Sequence, residues 1–277
     1  IIFILNHSRE SGYQIAYSLY EMGKLNTISF SGNVVSNPYF FISAVVGGAF
    51  LSLSSHGVDH MMVQRVLITK DLKSAKKAMI GSGVFVVFQF LIFLIAGSLI
   101  YYFYQGISIE KDREFSTFIV QSLPEGLKGL LMAGILSAAM STLSSSINSL
   151  ASSVSVDWYR NSISLVKSKW ISLVWAVVLI LIALLFDESD SAIIIIGLQI
   201  ASFTYGGLLG LFVLSKIERN FRSLSIIIGL TSSFLIVFYL KQIGIAWTWF
   251  ILIATSINVF TTLLIDYSHS LLSSRKR

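Results

Sequence analysis

Residues 137 to 159 read SAAMSTLSSSINSLASSVSVDWY, and ten of the first nineteen are serine or threonine. On a helix at about 100° per residue, Ser141, Ser145, Asn148, Ser149 and Ser152 fall on one face, and Leu143, Ile147, Leu150 and Val154 on the other. Neutral hydroxyl and carbonyl oxygens are the ligands a hard cation such as sodium takes. Adjacent Ser141 and Thr142 can each turn an oxygen toward one point beside the helix, and the Ala138 carbonyl lies one turn earlier. A site of neutral oxygens also lets the ion leave again, as transport requires. The competing explanation is packing: small serine and alanine residues let helices approach, each serine bonding back to its own helix.

Other chemistries find little support. The chain has no cysteine, which excludes disulfides, thiolate metal sites and thiol nucleophiles. His7, His56, His60 and His269 show no metal-ligand spacing. Serine is plentiful, yet no G-x-S-x-G elbow surrounds one and no histidine–aspartate pairing in the apolar segments suits a triad. We expect no enzyme and no organic cofactor.

The elements that must position this hydroxyl face are membrane helices. Only 12% of the residues are charged, against about 25% in soluble domains, and the mean hydropathy is +0.78. No Asp, Glu, Lys or Arg occurs in Ala78–Ile109, Gly129–Val156, Trp170–Phe186, Ser191–Ser215, Ser223–Leu240 or Gln242–Ile265. A bilayer crossing needs roughly 20 mostly apolar residues, so each gap holds one span, and Tyr39–Val58 supplies another. The expected fold is all-α and integral to the membrane, with about seven transmembrane helices.

The net charge of +6 lies in short loops, which points away from nucleic acid and toward topology. Arg65, Lys70, Lys73, Lys76 and Lys77 mark an inside loop, as do Arg160, Lys167 and Lys169, and then Lys216, Arg219 and Arg222. The mixed EKDRE at 110–114, the acidic DESD at 187–190 and the KQIG turn fall outside. By the positive-inside rule the alternation never breaks, and the RKR terminus is cytoplasmic. The first residues, IIFIL, read as the outer end of an earlier span, and 1–38 as an extracellular loop with a formal sequon at Asn6-His7-Ser8. The transmembrane domain is expected at 39–266 and a cytoplasmic basic tail at 267–277.

The first span, about Tyr39–Met62, carries Gly47-Gly48 and then LSLSSHGVD, an interruption that means either helix packing or an unwound segment. Gln199, Ser202, Thr204 and Gly206-Gly207 make the fifth span polar for a membrane helix. The fourth, sixth and seventh spans suggest nothing beyond crossing the bilayer, with Trp247, Trp249 and Tyr267 as interfacial aromatics.

Two blocks resemble the solute:sodium symporter family, whose members carry sodium with glucose, proline, iodide, pantothenate or sialic acid. One is SSHGVDHMMVQRVLITKDLKSAKKAM (Ser54–Met79); the other is LPEGLKGLLMAGILSAAMSTLSSSINSLASSVSVDWYR (Leu123–Arg160). The resemblance implies two inverted five-helix repeats with flanking helices. This chain would be the C-terminal portion: the second repeat plus additional C-terminal helices, with the upstream half of the same protein required for activity. By motif position it implies that the Ala138 carbonyl and the Ser141 and Thr142 hydroxyls bind sodium, with Ser144 and Ser145 matching a second sodium site of some members. Ser52, Ser55 and His56 match positions of substrate contacts, where sugar carriers tend to have tyrosine and tryptophan. Gln199 is a further substrate candidate or, alternatively, interhelical glue. Asp59, Gln64 and Arg65 follow the family motif, which His60 breaks, and Asp59 and Arg65 are expected to be structural or gating residues.

The function implied is sodium-coupled symport of a small organic solute by alternating access, in a plasma or inner membrane. A membrane sensor or receptor of transporter-like fold and a passive channel are the alternatives. The partners expected are Na+, the solute and the lipid bilayer.

Overall fold

The computed structural model describes residues 1–8, 10–107, 112–159, 163–185 and 193–274. They form eleven α-helices: α1 (Ile2–His7), α2 (Gly12–Glu21), α3 (Phe41–Gly57), α4 (His60–Leu67), α5 (Leu72–Phe103), α6 (Glu114–Ser122), α7 (Glu125–Ser153), α8 (Leu165–Leu185), α9 (Ile193–Ser215), α10 (Ser223–Gln242) and α11 (Phe250–Ser274). A bridge between Ser29 and Phe40 is the only β-pairing among the described residues. Five of these helices, α5 and α8 to α11, are long and apolar enough to cross a bilayer; α7 with the turn that follows it is a sixth, and the bent pair α3 and α4 makes a seventh. The fold is all-α with six to seven candidate membrane helices, as composition implied. Loop charges at 110, 111, 160 and 187–190, and the terminal 275–277, lie outside the described residues.

The chain divides into two compact units, 1–25 with 76–193 and 26–75 with 194–277. In the first, residues 1–25 carry the two short helices α1 and α2. Ser11 caps α2 through a reciprocal box with Gln14, which satisfies two backbone donors at the helix start. Ile15 and Leu19 of α2, Ile4 of α1 and Phe118 and Ile119 of α6 then bury themselves against Leu99 and Ile100 of α5. Tyr102 on α5 donates its hydroxyl to Glu10, and the Lys24 ammonium lies 4.0 Å from the Tyr101 ring centre. Pro124 caps α7 with φ −60° and ψ 150°, a conformation proline holds at no cost in a lost hydrogen bond. The helix runs unbroken to Ser153 and ends in a π-helical turn, Val154–Trp158.

The second unit is built around α11. Its Thr255, Asn258, Thr262 and Asp266 recur at i, i+3, i+7 and i+11, which places them on one stripe. Thr255 donates to the Gly206 carbonyl at 3.0 Å and Asn258 to the Gly207 carbonyl at 2.8 Å, both on α9. Asp266 receives Arg219 Nη2 at 2.8 Å and the Arg222 backbone N–H at 3.2 Å. Small residues let the neighbours come close: Gly206 and Gly210 of α9, and Ser225, Gly229 and Ser233 of α10, are all buried. Without a hydrophobic force between helices in lipid, small faces and interhelical hydrogen bonds are what remains to hold them. The seventh span is therefore polar on one side, contrary to its reading as a plain membrane helix. The segment before α3 is clipped to the start of α11, where Ala246 N–H donates to the Val35 carbonyl at 2.9 Å and Trp249 Nε1 to the Val34 carbonyl at 3.0 Å.

Candidate cation and solute site

Each proposed cation ligand sits on α7. Ala138, Ser141, Thr142 and Ser145 follow the i, i+3, i+4, i+7 spacing and share a face, with Ser144 about 60° beyond Ser141. Ala138, Ser141, Thr142 and Ser144 are exposed and Ser145 is half-buried. The Ser145 hydroxyl donates to the Ser141 carbonyl at 2.9 Å and Ser146 to the Thr142 carbonyl at 3.0 Å. This is the back-bonding that small hydroxyls make inside membranes, and it commits the Ser145 proton. Neither the Ser141 nor the Thr142 hydroxyl bonds to another side chain or carbonyl among the described residues. Two adjacent, uncommitted hydroxyl oxygens beside a carbonyl suit a hard cation. No cluster of three or more His, Cys, Asp or Glu side chains with metal-binding geometry occurs among the described residues.

The proposed solute contacts on α3 form one local cluster. The Ser52 carbonyl accepts from the Ser55 hydroxyl at 3.1 Å and lies 3.0 Å from His56 Nδ1, which is also 2.9 Å from Ser55 Oγ. One ring nitrogen is thus held by the helix, and the other edge of the imidazole has no hydrogen bond to a described residue. Gln199 is half-buried on α9, and its side chain hydrogen-bonds to no described residue.

The break in the first span falls at Val58-Asp59 and not at Gly47-Gly48. The Ser54 carbonyl accepts both the Val58 and Asp59 N–H groups, at 2.9 and 3.2 Å, which closes α3. Asp59 then takes an extended conformation and starts α4, its Oδ1 accepting from Met61 N at 2.9 Å and Met62 N at 3.3 Å. The two helices meet at 58°. Asp59 Oδ2 receives the Tyr205 hydroxyl of α9 at 2.7 Å. Tyr205 drew no attention in the sequence, although a tyrosine beside a buried glycine pair in a span was the available signal. Gly47 instead serves packing, since a Cβ there would lie 2.5 Å from the Thr248 Cβ. Ser54 Oγ and Thr248 Oγ1 are buried and have no hydrogen-bond partner among the described residues.

A sequence model of the sodium:solute symporter family matches residues 14–219. The chain belongs to the sodium:solute symporter family. It is an integral, multi-pass membrane protein. It is 31% identical over 121 residues to the sodium/sialic acid symporter SiaT of Proteus mirabilis, covering 42% of this chain and 24% of that protein. It is 28% identical over 236 residues to the human sodium-coupled monocarboxylate transporter 1, covering 78% of this chain and 38% of that protein. The chain thus spans well under half the length of these curated relatives. Its fold matches the substrate-bound outward-open state of a Na+-coupled sialic acid symporter with a TM-score of 0.73 at 20% identity, over 96% of this chain and 57% of that one.

Proposed function

We propose that the whole protein is a sodium-coupled symporter that carries a small organic solute by alternating access. The observation that supports this most is the α7 face on which the Ala138 carbonyl and the Ser141 and Thr142 hydroxyls lie side by side, neither hydroxyl being bonded to another described residue. Sodium bound there meets neutral oxygens on α7, which hold it loosely enough for release on the inner side. Ser144 and Ser145 are the candidates for a second ion. The remaining ligands come from outside these 277 residues, from the upstream half of the protein, in keeping with the 24% and 38% of the relatives' length that the chain spans. The membrane potential adds about 2.3 kcal/mol per sodium charge for every 100 mV.

The solute meets Ser52, Ser55 and His56 of α3 and, from α9, Gln199. The named relatives carry sialic acid or monocarboxylates, and an imidazole beside a serine hydroxyl offers donors to a carboxylate. Carboxylate-bearing solutes are therefore the first class to test. The protein sits in a membrane with a sodium gradient, its C-terminus on the cytoplasmic side. Uptake into vesicles by the full-length protein is expected to collapse when sodium is replaced by choline. Uptake that persists undiminished in choline contradicts symport and favours a channel.

A further inference from the structure

The bond between Tyr205 and Asp59 has a place in the cycle proposed above. Asp59 does two jobs with one carboxylate: Oδ1 caps α4, and Oδ2 takes the Tyr205 hydroxyl at 2.7 Å. An O–H···O bond to an ionised carboxylate is among the stronger hydrogen bonds available to side chains. Tyr205 adjoins Gly206 and Gly207, whose carbonyls are tied to Thr255 and Asn258 of α11. A Cβ on Gly206 would lie 2.4 Å from the Ala254 Cβ, so α9 and α11 are in direct backbone contact there. On the other side, α4 leaves α3 through a 58° bend with Asp59 at the hinge. The Tyr205 hydroxyl thus ties the start of α4 to α9.

We propose that Tyr205 is a positioning residue for the transport cycle: its hydroxyl holds α4 against α9 through Asp59, and breaking that bond frees α4 to swing as the inner side of the pathway opens. The inference rests on the symporter reading for its role in a cycle. The latch itself is a property of α3, α4 and α9 within one compact unit and is measurable without transport.

The test uses the full-length protein with cysteine elsewhere removed; this chain contributes none. Single cysteines are placed at half-buried Val63 on α4 and, as a control, at exposed Glu218 in the α9–α10 loop. Their modification by a membrane-impermeant maleimide is followed in inside-out vesicles without sodium or solute. Tyr205→Phe, which deletes one oxygen, is expected to speed labelling of Val63→Cys about tenfold, the factor that ~1.4 kcal/mol corresponds to, and to leave Glu218→Cys unchanged. Asp59→Asn keeps an oxygen for the α4 cap but loses the charged acceptor, so a smaller rise in the same direction is expected. Labelling of Val63→Cys that is unchanged in Tyr205→Phe, or that rises only together with Glu218→Cys, overturns the latch. Should Tyr205→Phe fail to reach the membrane, Asp59→Asn decides by the same criterion. Because labelling needs no sodium, loss of the symporter reading in the choline experiment would leave this result standing.

Discussion

Asn258, at the middle of α11, donates its side-chain amide to the Gly207 carbonyl of α9 at 2.8 Å while its own Oδ1 faces Thr262 Oγ1 at 3.4 Å. Its atoms also fill the spaces left by two glycines: a Cβ on Gly210 or Gly229 would come within 2.6 or 2.8 Å of the Asn258 side chain. Asn258→Leu loses the interhelical bond, worth about 0.6 and at most about 1.7 kcal/mol in a membrane helix, and overfills the contact, which costs about 1–3 kcal/mol. A midpoint of unfolding in detergent that falls by several degrees is expected. An unchanged midpoint would remove α11 from the centre of its unit.

Gly47 and Gly48 are adjacent yet should respond in opposite ways to alanine. A Cβ on Gly47 meets the Thr248 Cβ at 2.5 Å and its backbone at 2.8 Å, whereas Gly48 has nothing within 4 Å. Gly47→Ala must push α3 off the turn before α11, at a cost of about 1–3 kcal/mol. Gly48→Ala gains up to about 1 kcal/mol of helix propensity. Thermal denaturation of the two variants side by side checks the sign of each.

Asp266 is buried on α11, with its carboxylate shared between Arg219 Nη2 and the Arg222 N–H. Asp266→Ala strands both donors, and a loss of about 1.5–3 kcal/mol, the range for hydrogen bonds to charged groups, is expected. Arg219 is more exposed, so Arg219→Gln should cost less, because water and the Arg222 N–H still serve the carboxylate. A double-mutant cycle reading zero coupling would show that the pair does not act as one.

Asp71 caps α5 by accepting the Ser74 backbone N–H at 2.7 Å, and that bond holds its carboxyl below the ordinary value of 3.8. A lowered folded-state value means that the cap is intact above 3.8 and is lost as pH falls through the folded value. The protection factors of the first turn of α5, with exchange rates corrected for their intrinsic pH dependence, should therefore fall in acid. In Asp71→Asn, which caps without a charge, protection should show no such acid dependence, and an identical acid profile of protection in both proteins would contradict the assignment.

The span count was legible because charge-free stretches of about twenty residues are a coarse and forgiving signal. The α7 face was legible because Ser141, Ser145, Asn148, Ser149 and Ser152 recur at helical spacing over one unbroken helix. The break in the first span was legible only as the stretch from Gly47 to Asp59, and not as its position at Val58-Asp59. Glycine pairs suggest unwinding, but Gly47 is required by the approach of Thr248, and it is the Asp59 cap that ends one helix and starts the next. The polar stripe of α11 carried the same kind of periodic signal as α7 but was diluted by threonines that resemble packing residues. The link from Asp59 to Tyr205 spans 146 residues of sequence, and nothing local in either segment announces a partner that distant. For Ser52, Ser55 and His56 the sequence located a cluster, and the structure shows that its hydrogen bonds run along α3 itself.

The central claim is that α7 contributes the sodium site, and equilibrium binding of radioactive sodium to the purified full-length protein tests it most directly, since no solute need be known. Saturable binding by the native protein, with affinity lowered at least tenfold by Ser141→Ala and by Thr142→Ala and left intact by Ser172→Ala on α8, is the predicted result. Sodium binding that is equally tight in all three variants would contradict the account.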